Sequence, residues 1–440
     1  MKRIAFLAAM LAAVAVARAD EDIESRVTEF KLKNGLEVIV YVDSSAPVVS
    51  TDVFYKVGSY DEQAGYTGLS HMLEHMSFKH TDIYKPGDFD RLVDSAGGNN
   101  NGFTSDYYTG YYEDFAADRW EMALKIEAAR MAKCIFPDSE FESEHQVVSE
   151  EQRLQENRPI SQFYLQFGAL AQLVHPLRNP GVGWPDDVRR FTVSAVRDWY
   201  RARYNPANAV LVIAGDVRPA DVRPKVEKYF AKLVGTPVAR ADYYDLEPRQ
   251  LGERRFTMRR KVKVPQVLIA WHAPGIRDSS YVAGSVLAGV LAQGRNSRLY
   301  KTLVTDSGLA VYVGGYNWVE RDPDLLRLYI TPKSDSFIPR IERLVDREVE
   351  RMKTELVSDR EIEQVKNGVL AEHVFERDDV SGMAFLLAAN QILEGTWRAY
   401  KTFPEHVTRV TKEQVRDFSV KYLTRDNQTL GVLLPQKEEK

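Results

Sequence analysis

Hydrophobic and polar positions change period in a fixed order along the chain. "EFKLKNGLEVIVYVD" (residues 29–43) alternates as two strands turning at Asn34-Gly35, and "VVSTDVFYKVGS" (48–59) reads as a third strand. Residues 66–80, 117–134 and 138–156 then repeat their apolar positions at helical spacing. "FTVSAVRDWYRARYNPANAVLVIAGD" (191–216) follows as an amphipathic helix, a turn at asparagine and an apolar strand.

That last pattern occurs twice. Residues 191–216 match "VTKEQVRDFSVKYLTRDNQTLGVLLP" (410–435) at an offset of 219, with Thr192 over Thr411, Val196-Arg197-Asp198 over Val415-Arg416-Asp417 and Asn208 over Asn427. At an offset of 217, "TDVFYKVGSYDE" (51–62) matches "VLIAWHAPGIRDS" (267–279) through Gly58/Gly275 and Asp61/Asp278. Two matches at nearly one offset predict a duplicated α+β fold. It has two homologous halves, each a mostly antiparallel sheet with helices packed on one face. The expected division is a leader at 1–19, an N-terminal half at 20–235, a linker at 236–255 carrying Pro237 and Pro248, and a C-terminal half at 256–440.

Composition narrows the setting. Lys2 and Arg3 precede an apolar run from Ile4 to Val16, followed by Ala17-Arg18-Ala19, which is the pattern of a cleaved secretory signal with Asp20 starting the mature chain. The run falls short of the roughly 20 residues that span a bilayer, so no stable membrane insertion is expected. Without Lys2, Arg3 and Arg18 the formal charge moves from −4 to −7, and no basic patch suggests a nucleic-acid partner. A bacterial periplasmic location fits such a leader. The single cysteine, Cys134, rules out an internal disulfide and reads as a small buried residue, so any metal ligands are His, Asp or Glu.

The candidate chemistry lies in "HMLEHMSFKHT" (71–81). Residues four apart share a helix face, so His71 and His75 can reach one ion, with Glu74 bordering that face. Two imidazoles and a carboxylate beside an open position suit Zn2+, which lowers the pKa of a bound water while a nearby Glu takes its proton. The acidic helix "SEFESEHQVVSEEQRLQENRP" offers Glu144, His145, Glu150 and Glu151 as a third ligand. Glu144 and Glu151 share a face with Val147 and Val148, on the core side, while Glu150 is turned towards solvent. At the equivalent places of the second half stand Ala288, Leu291 and Ala292, so one copy carries the chemistry and the other plain core.

His71-x-x-Glu74-His75, Glu151 lying 76 residues after His75, and "SAGGNNNGFTSDYYTGYY" (95–112) together resemble the inverzincin zinc peptidases, the family of pitrilysin, insulin-degrading enzyme and mitochondrial processing peptidase. The resemblance is greatest to short bacterial members of the processing-peptidase branch. It implies His71, His75 and Glu151 as zinc ligands, Glu74 as general base and Glu144 as a supporting acid behind the ligands. It implies two halves facing each other as a clamshell around peptides or unfolded segments. It also implies an edge strand near the metal to which substrate adds, with Asn101, Gly102 and Phe103 as candidate contacts and Gly102 in place of the usual Ala. His80, where relatives have Gly, reads as a surface or loop histidine.

Members of this family also carry, in the second half, an Arg and, seven residues later, a Tyr that hold the substrate carbonyl. Here "GRNSRLYKTLVTDSGLAVYVGG" (294–315) places Val304 and Val311 at those positions, and valine donates no hydrogen bond. Tyr312, one residue late, is expected on the opposite face of a strand. The resemblance therefore implies a zinc endopeptidase subunit completed by a homologous subunit that supplies the pair, as a heterodimer, with a homodimer as the other pairing. The alternative is a non-catalytic structural or assembly subunit of the same fold.

Overall fold

The computed structural model describes residues 23–317, 320–376 and 379–436; the leader expected at 1–19 lies outside them. The first sheet is built from β1 (Val27–Lys31), β2 (Glu37–Val42) and β3 (Val48–Tyr55). After helix α1 (Leu69–Met76) comes the hairpin of β4 (Asn99–Thr104) and β5 (Thr109–Ala116). Helices α2 (Glu121–Lys133), α3 (Asp138–Glu156), α4 (Pro159–Ala171) and α5 (Val193–Arg203) then lead to β6 (Ala209–Gly215). The spatial order is β1-β2-β6-β3-β5-β4, which leaves β4 at an edge. Only β2 and β6 run parallel.

The second sheet repeats this plan. It uses β7 (Arg254–Arg260), β8 (Gln266–Ala273), α6 (Tyr281–Ala292), β9 (Ala310–Asn317), β10 (Asp324–Pro332), α7 (Ile338–Thr354), α8 (Val380–Leu393), α9 (Lys412–Tyr422) and β11 (Gln428–Pro435). Its order β7-β11-β8-β10-β9 matches β2-β6-β3-β5-β4 strand for strand, with β7 and β11 as the parallel pair. The residues that revealed the repeat perform the same local tasks in both halves. Thr192 and Thr411 cap α5 and α9 through their hydroxyls. Asn208 donates to the Arg203 carbonyl as Asn427 does to that of Tyr422. Gly58 and Gly275 sit where a Cβ would lie 2.3 Å from the Ser105 carbonyl oxygen and 2.5 Å from the Asp322 carbonyl carbon, so only glycine lets the chain pass.

Packing groups the chain into two units that are not contiguous. One comprises the described residues up to Glu150 with Gly181–Arg240 and Glu372–Thr402; the other comprises Glu151–Pro180, Ala241–Ala371 and the residues from Phe403. The cause is a pair of exchanged helices. In the first unit α8 lies on β3 and β6, and in the second α4 lies on β7 and β11. Phe163, Phe167 and Ala171, four residues apart on α4, pack against Leu268, Ala270 and Leu433. Each sheet therefore has several helices on one face and one helix from the other half on its second face. Strand β6, "AVLVIAG", is buried at every position for this reason.

Residues 236–253 form no helix or strand. Arg240 is nonetheless fixed to both Asp61 carboxylate oxygens at 2.8 Å and to the Tyr107 carbonyl at 2.9 Å. Among the described residues no helix is long and apolar enough to cross a membrane.

The strand around Val311 departs from the expected alternation. Ala310 pairs with Pro332, but Tyr312, and not Val311, pairs with Thr331, so one residue bulges out. Tyr312 takes the ladder place that a regular strand would give Val311, and both are exposed, by 47% and 54%. The expectation that Tyr312 turns to the opposite face held only for an unbulged strand.

Candidate metal centre

Helix α1 presents the candidate ligands, and its ends are tied down. Gly68, at φ 88°, turns the chain into the helix, and the Glu62 carboxylate accepts the amides of Gly68 (2.6 Å) and Ser70 (2.7 Å), two donors that the first turn otherwise leaves unpaired. Met72, Leu73 and Met76 face the core, which leaves His71 and His75 side by side with ring centroids 4.6 Å apart.

Behind the far end of the helix lies a buried ionic cluster that the sequence pattern did not reveal. Arg130 of α2 contacts Glu127 and reaches Glu113 of β5 at 3.1 Å, all three side chains being fully buried. Its guanidinium lies over the rings of Phe78 (4.9 Å) and Tyr111 (4.3 Å), with Nε 3.4 Å from the Ser77 carbonyl at the C-cap of α1.

Helix α3 brings the third candidate ligand. One ligand atom from each of His71, His75 and Glu151 lies within 4.8 Å of the others. Two zinc bonds of about 2.1 Å span at most about 4.2 Å, so small side-chain movements would close the set on one ion. Glu144, two turns earlier, accepts from His75 Nδ1 at 2.9 Å, which would leave Nε2 as the nitrogen for a metal. Burial acts to raise the Glu144 pKa, but the bonds from His75 and Lys79 outweigh it and hold the carboxyl below its ordinary value. Burial, then the neighbouring His75, hold His71 down to about 4, so its imidazole stays neutral and ready to ligate. These donors fit zinc in identity, and His71 fits it in protonation as well.

Glu74, only 8% exposed, is outside the ligand set, and Thr104 at the end of β4 donates to its Oε2 at 2.8 Å. Thr104 falls in the glycine-rich stretch singled out in the sequence, yet its role emerges only once β4 is placed. Strand alternation puts Gly102 and Thr104 on the α1 side and Asn101 and Phe103 on the other. Phe103 packs its ring against Phe54 (5.4 Å) and Phe385 (5.5 Å), on the face covered by α8. Asn101 is exposed and accepts the Gly102 amide. A Cβ at Gly102 would lie 2.9 Å from the Phe78 ring, so the glycine is a closer fit than a free exchange with alanine implies.

The remaining candidates are engaged elsewhere. His145 bonds the Val188 carbonyl at 2.6 Å and stacks on Phe141, and Glu150 is exposed. His80 is half-buried and bonds Glu140 at 2.9 Å. On α3, Val148 is fully buried, whereas Val147, expected beside it on the core side, is 43% exposed because it lies about 100° further round the helix. Ala288, Leu291 and Ala292 of α6 are core.

One pH effect follows. The His71 pKa is lower in the folded chain than in the unfolded one, so between about pH 6.5 and 4 the unfolded state binds the extra proton. The metal-free chain is expected to lose stability as pH falls through that window, and a His71→Asn variant to lose less, by urea unfolding at several pH values.

Residues 38–181 match the insulinase family (peptidase family M16), and residues 190–369 match the peptidase M16 inactive domain. The chain is 29% identical to the zinc protease PqqE of Helicobacter pylori over 375 residues, covering 79% of this chain and 83% of that protein. A crystal structure of a protease from Helicobacter pylori superposes with a TM-score of 0.87 at 26% identity, covering 93% of this chain and 99% of that one. The periplasmic protease PqqL of Escherichia coli shares the fold, with a TM-score of 0.79 at 17% identity over 93% of this chain and 47% of that one. With both halves matched by domains of one family, the chain belongs to the insulinase (M16) family of peptidases.

Proposed function

We propose that this chain is the metal-bearing subunit of a zinc-dependent endopeptidase that cuts peptides or unfolded segments, and that it works in the periplasm after loss of its leader. The observation that carries the reading is the convergence of His71, His75 and Glu151 beside a Glu74 that Thr104 holds in place. Zinc bound there would supply a Lewis acid and a water with its pKa lowered to about 7. Glu74 would act as the base that takes a proton from the attacking water and returns it to the leaving amine, with Thr104 fixing one of its carboxylate oxygens. Edge strand β4 offers its open backbone groups to an extended substrate chain, which favours unfolded segments over folded proteins.

Val304 lies in a π-helical turn, Lys301–Asp306, packed against the core, and Val311 is the bulged residue; neither can donate to a developing oxyanion. Losing such a donor costs about 10²- to 10³-fold in rate. We place the donors on a homologous partner subunit. PqqL, which holds roughly two lengths of this fold in one chain, provides a precedent for pairing two such lengths. The same valines favour a second reading, a non-catalytic assembly subunit.

One assay separates the readings: hydrolysis of an unstructured peptide by the chain alone, by the chain with its co-expressed homologue, and by the pair carrying Tyr312→Phe. The proposal expects activity to rise at least about 10²-fold on pairing and to change less than about twofold in the variant. Equal activity with and without the homologue, or a loss of about 10²-fold in Tyr312→Phe, would place the donor on this chain. Absence of hydrolysis in every combination would support the assembly reading.

A further inference from the structure

Lys79 lies four residues after His75, beyond the end of α1, and its Nζ is 2.6 Å from Glu144 Oε2, the carboxylate oxygen not bonded to His75. Glu144 Oε1 meanwhile bonds His75 Nδ1 at 2.9 Å. One buried carboxylate, its side chain 9% exposed, thus bridges an ammonium and a candidate ligand imidazole. On the reading that His75 ligates zinc, we propose that Lys79 tunes the metal by competing with His75 for the charge of Glu144. No other cation is recorded on this carboxylate among the described residues.

The physical reason is the divided charge. A carboxylate that serves only an imidazole N–H pulls on its proton, makes Nε2 a stronger donor and tightens the metal. An ammonium on the second oxygen draws charge away from that bond, and at 9% exposure water screens little of the effect. Lys79 therefore loosens zinc and leaves more positive charge on it, which suits a Lewis acid better than a purely structural ion. This is a positioning and tuning role: Lys79 is 32% exposed and acts through Glu144 and His75.

The test is a double-mutant cycle read as zinc affinity, by competition with a chromogenic chelator. Wild-type affinity is measured first, so that a chain unable to bind zinc is recognised as failure of the metal reading itself. Removal of a supporting carboxylate costs about 10- to 100-fold in affinity, so Lys79→Met, one step further out, is expected to raise affinity by roughly three- to tenfold. Lys79→Arg should keep wild-type affinity, because it retains the charge. In the Glu144→Gln background the same Lys79→Met exchange should change affinity less than about twofold, since the bridging charge is gone. Unchanged or weaker zinc binding in Lys79→Met overturns the inference, as does an increase that persists undiminished in Glu144→Gln, which would mean direct repulsion of the ion.

Discussion

Replacing Glu74 by glutamine is expected to lower peptide hydrolysis by about 10²- to 10⁴-fold while zinc content stays at the wild-type level. Glutamine has the shape of glutamate and its carbonyl can still accept the Thr104 hydroxyl, so the geometry of the site survives. It lacks a basic oxygen and cannot take the proton from the attacking water. Because Glu74 is outside the group of potential ligands, the metal should remain. Elemental analysis and hydrolysis measured on one preparation check this. Loss of zinc together with activity would make Glu74 a ligand or a structural support, and unchanged hydrolysis would remove it from the mechanism.

The largest effect on stability is expected from Arg130→Met. The exchange leaves Glu113 and Glu127, both fully buried, without the guanidinium that neutralises them. Removing one partner of a buried ionic group costs about 3–5 kcal/mol, because the remaining charge cannot return to water. Burial already holds the Glu113 pKa above its ordinary value even with Arg130 beside it. Adding Glu113→Gln and Glu127→Gln to Arg130→Met should recover part of the loss. Urea unfolding of the three proteins measures it, and a change below about 1 kcal/mol for the single exchange would contradict this account of the cluster. Since Arg130 also reaches the carbonyl that ends α1, zinc binding should weaken with stability.

What was legible in the sequence was local, or repeated. His71 and His75 could be paired because four residues is one helical turn, and the spacing survives any tertiary arrangement. The duplication was legible because Thr192/Thr411 and Asn208/Asn427 perform the same capping and turn tasks. Selecting Glu151 over its neighbours rested on the family resemblance, since face alone left Glu144 beside it. The exchange of α4 and α8 was not legible, because periodicity says which face of a helix is buried and not against which sheet. The unbroken apolar run of β6 did carry a hint that both faces are covered. Phe103 and Tyr312 show the limit of counting by two. The direction of Phe103 depends on where β4 begins, and the bulge at Val311 resets the count by one. Thr104 and Arg130 come from separate elements that meet the site only in three dimensions, and Lys79, though four residues past His75, acquires a role only where Glu144 of α3 reaches it.

In the proposed function one zinc ion held by His71, His75 and Glu151 drives peptide hydrolysis. The most direct measurement follows zinc content and cleavage of an unstructured peptide together, during titration with a chelator and then with added zinc, on the chain paired with its homologue. The expected result is about one zinc per chain, loss of metal and activity in step, recovery of both, and neither zinc nor activity in a Glu151→Gln pair. A metal-free pair that still cleaves the peptide, or a Glu151→Gln pair that keeps its zinc and its activity, would contradict it.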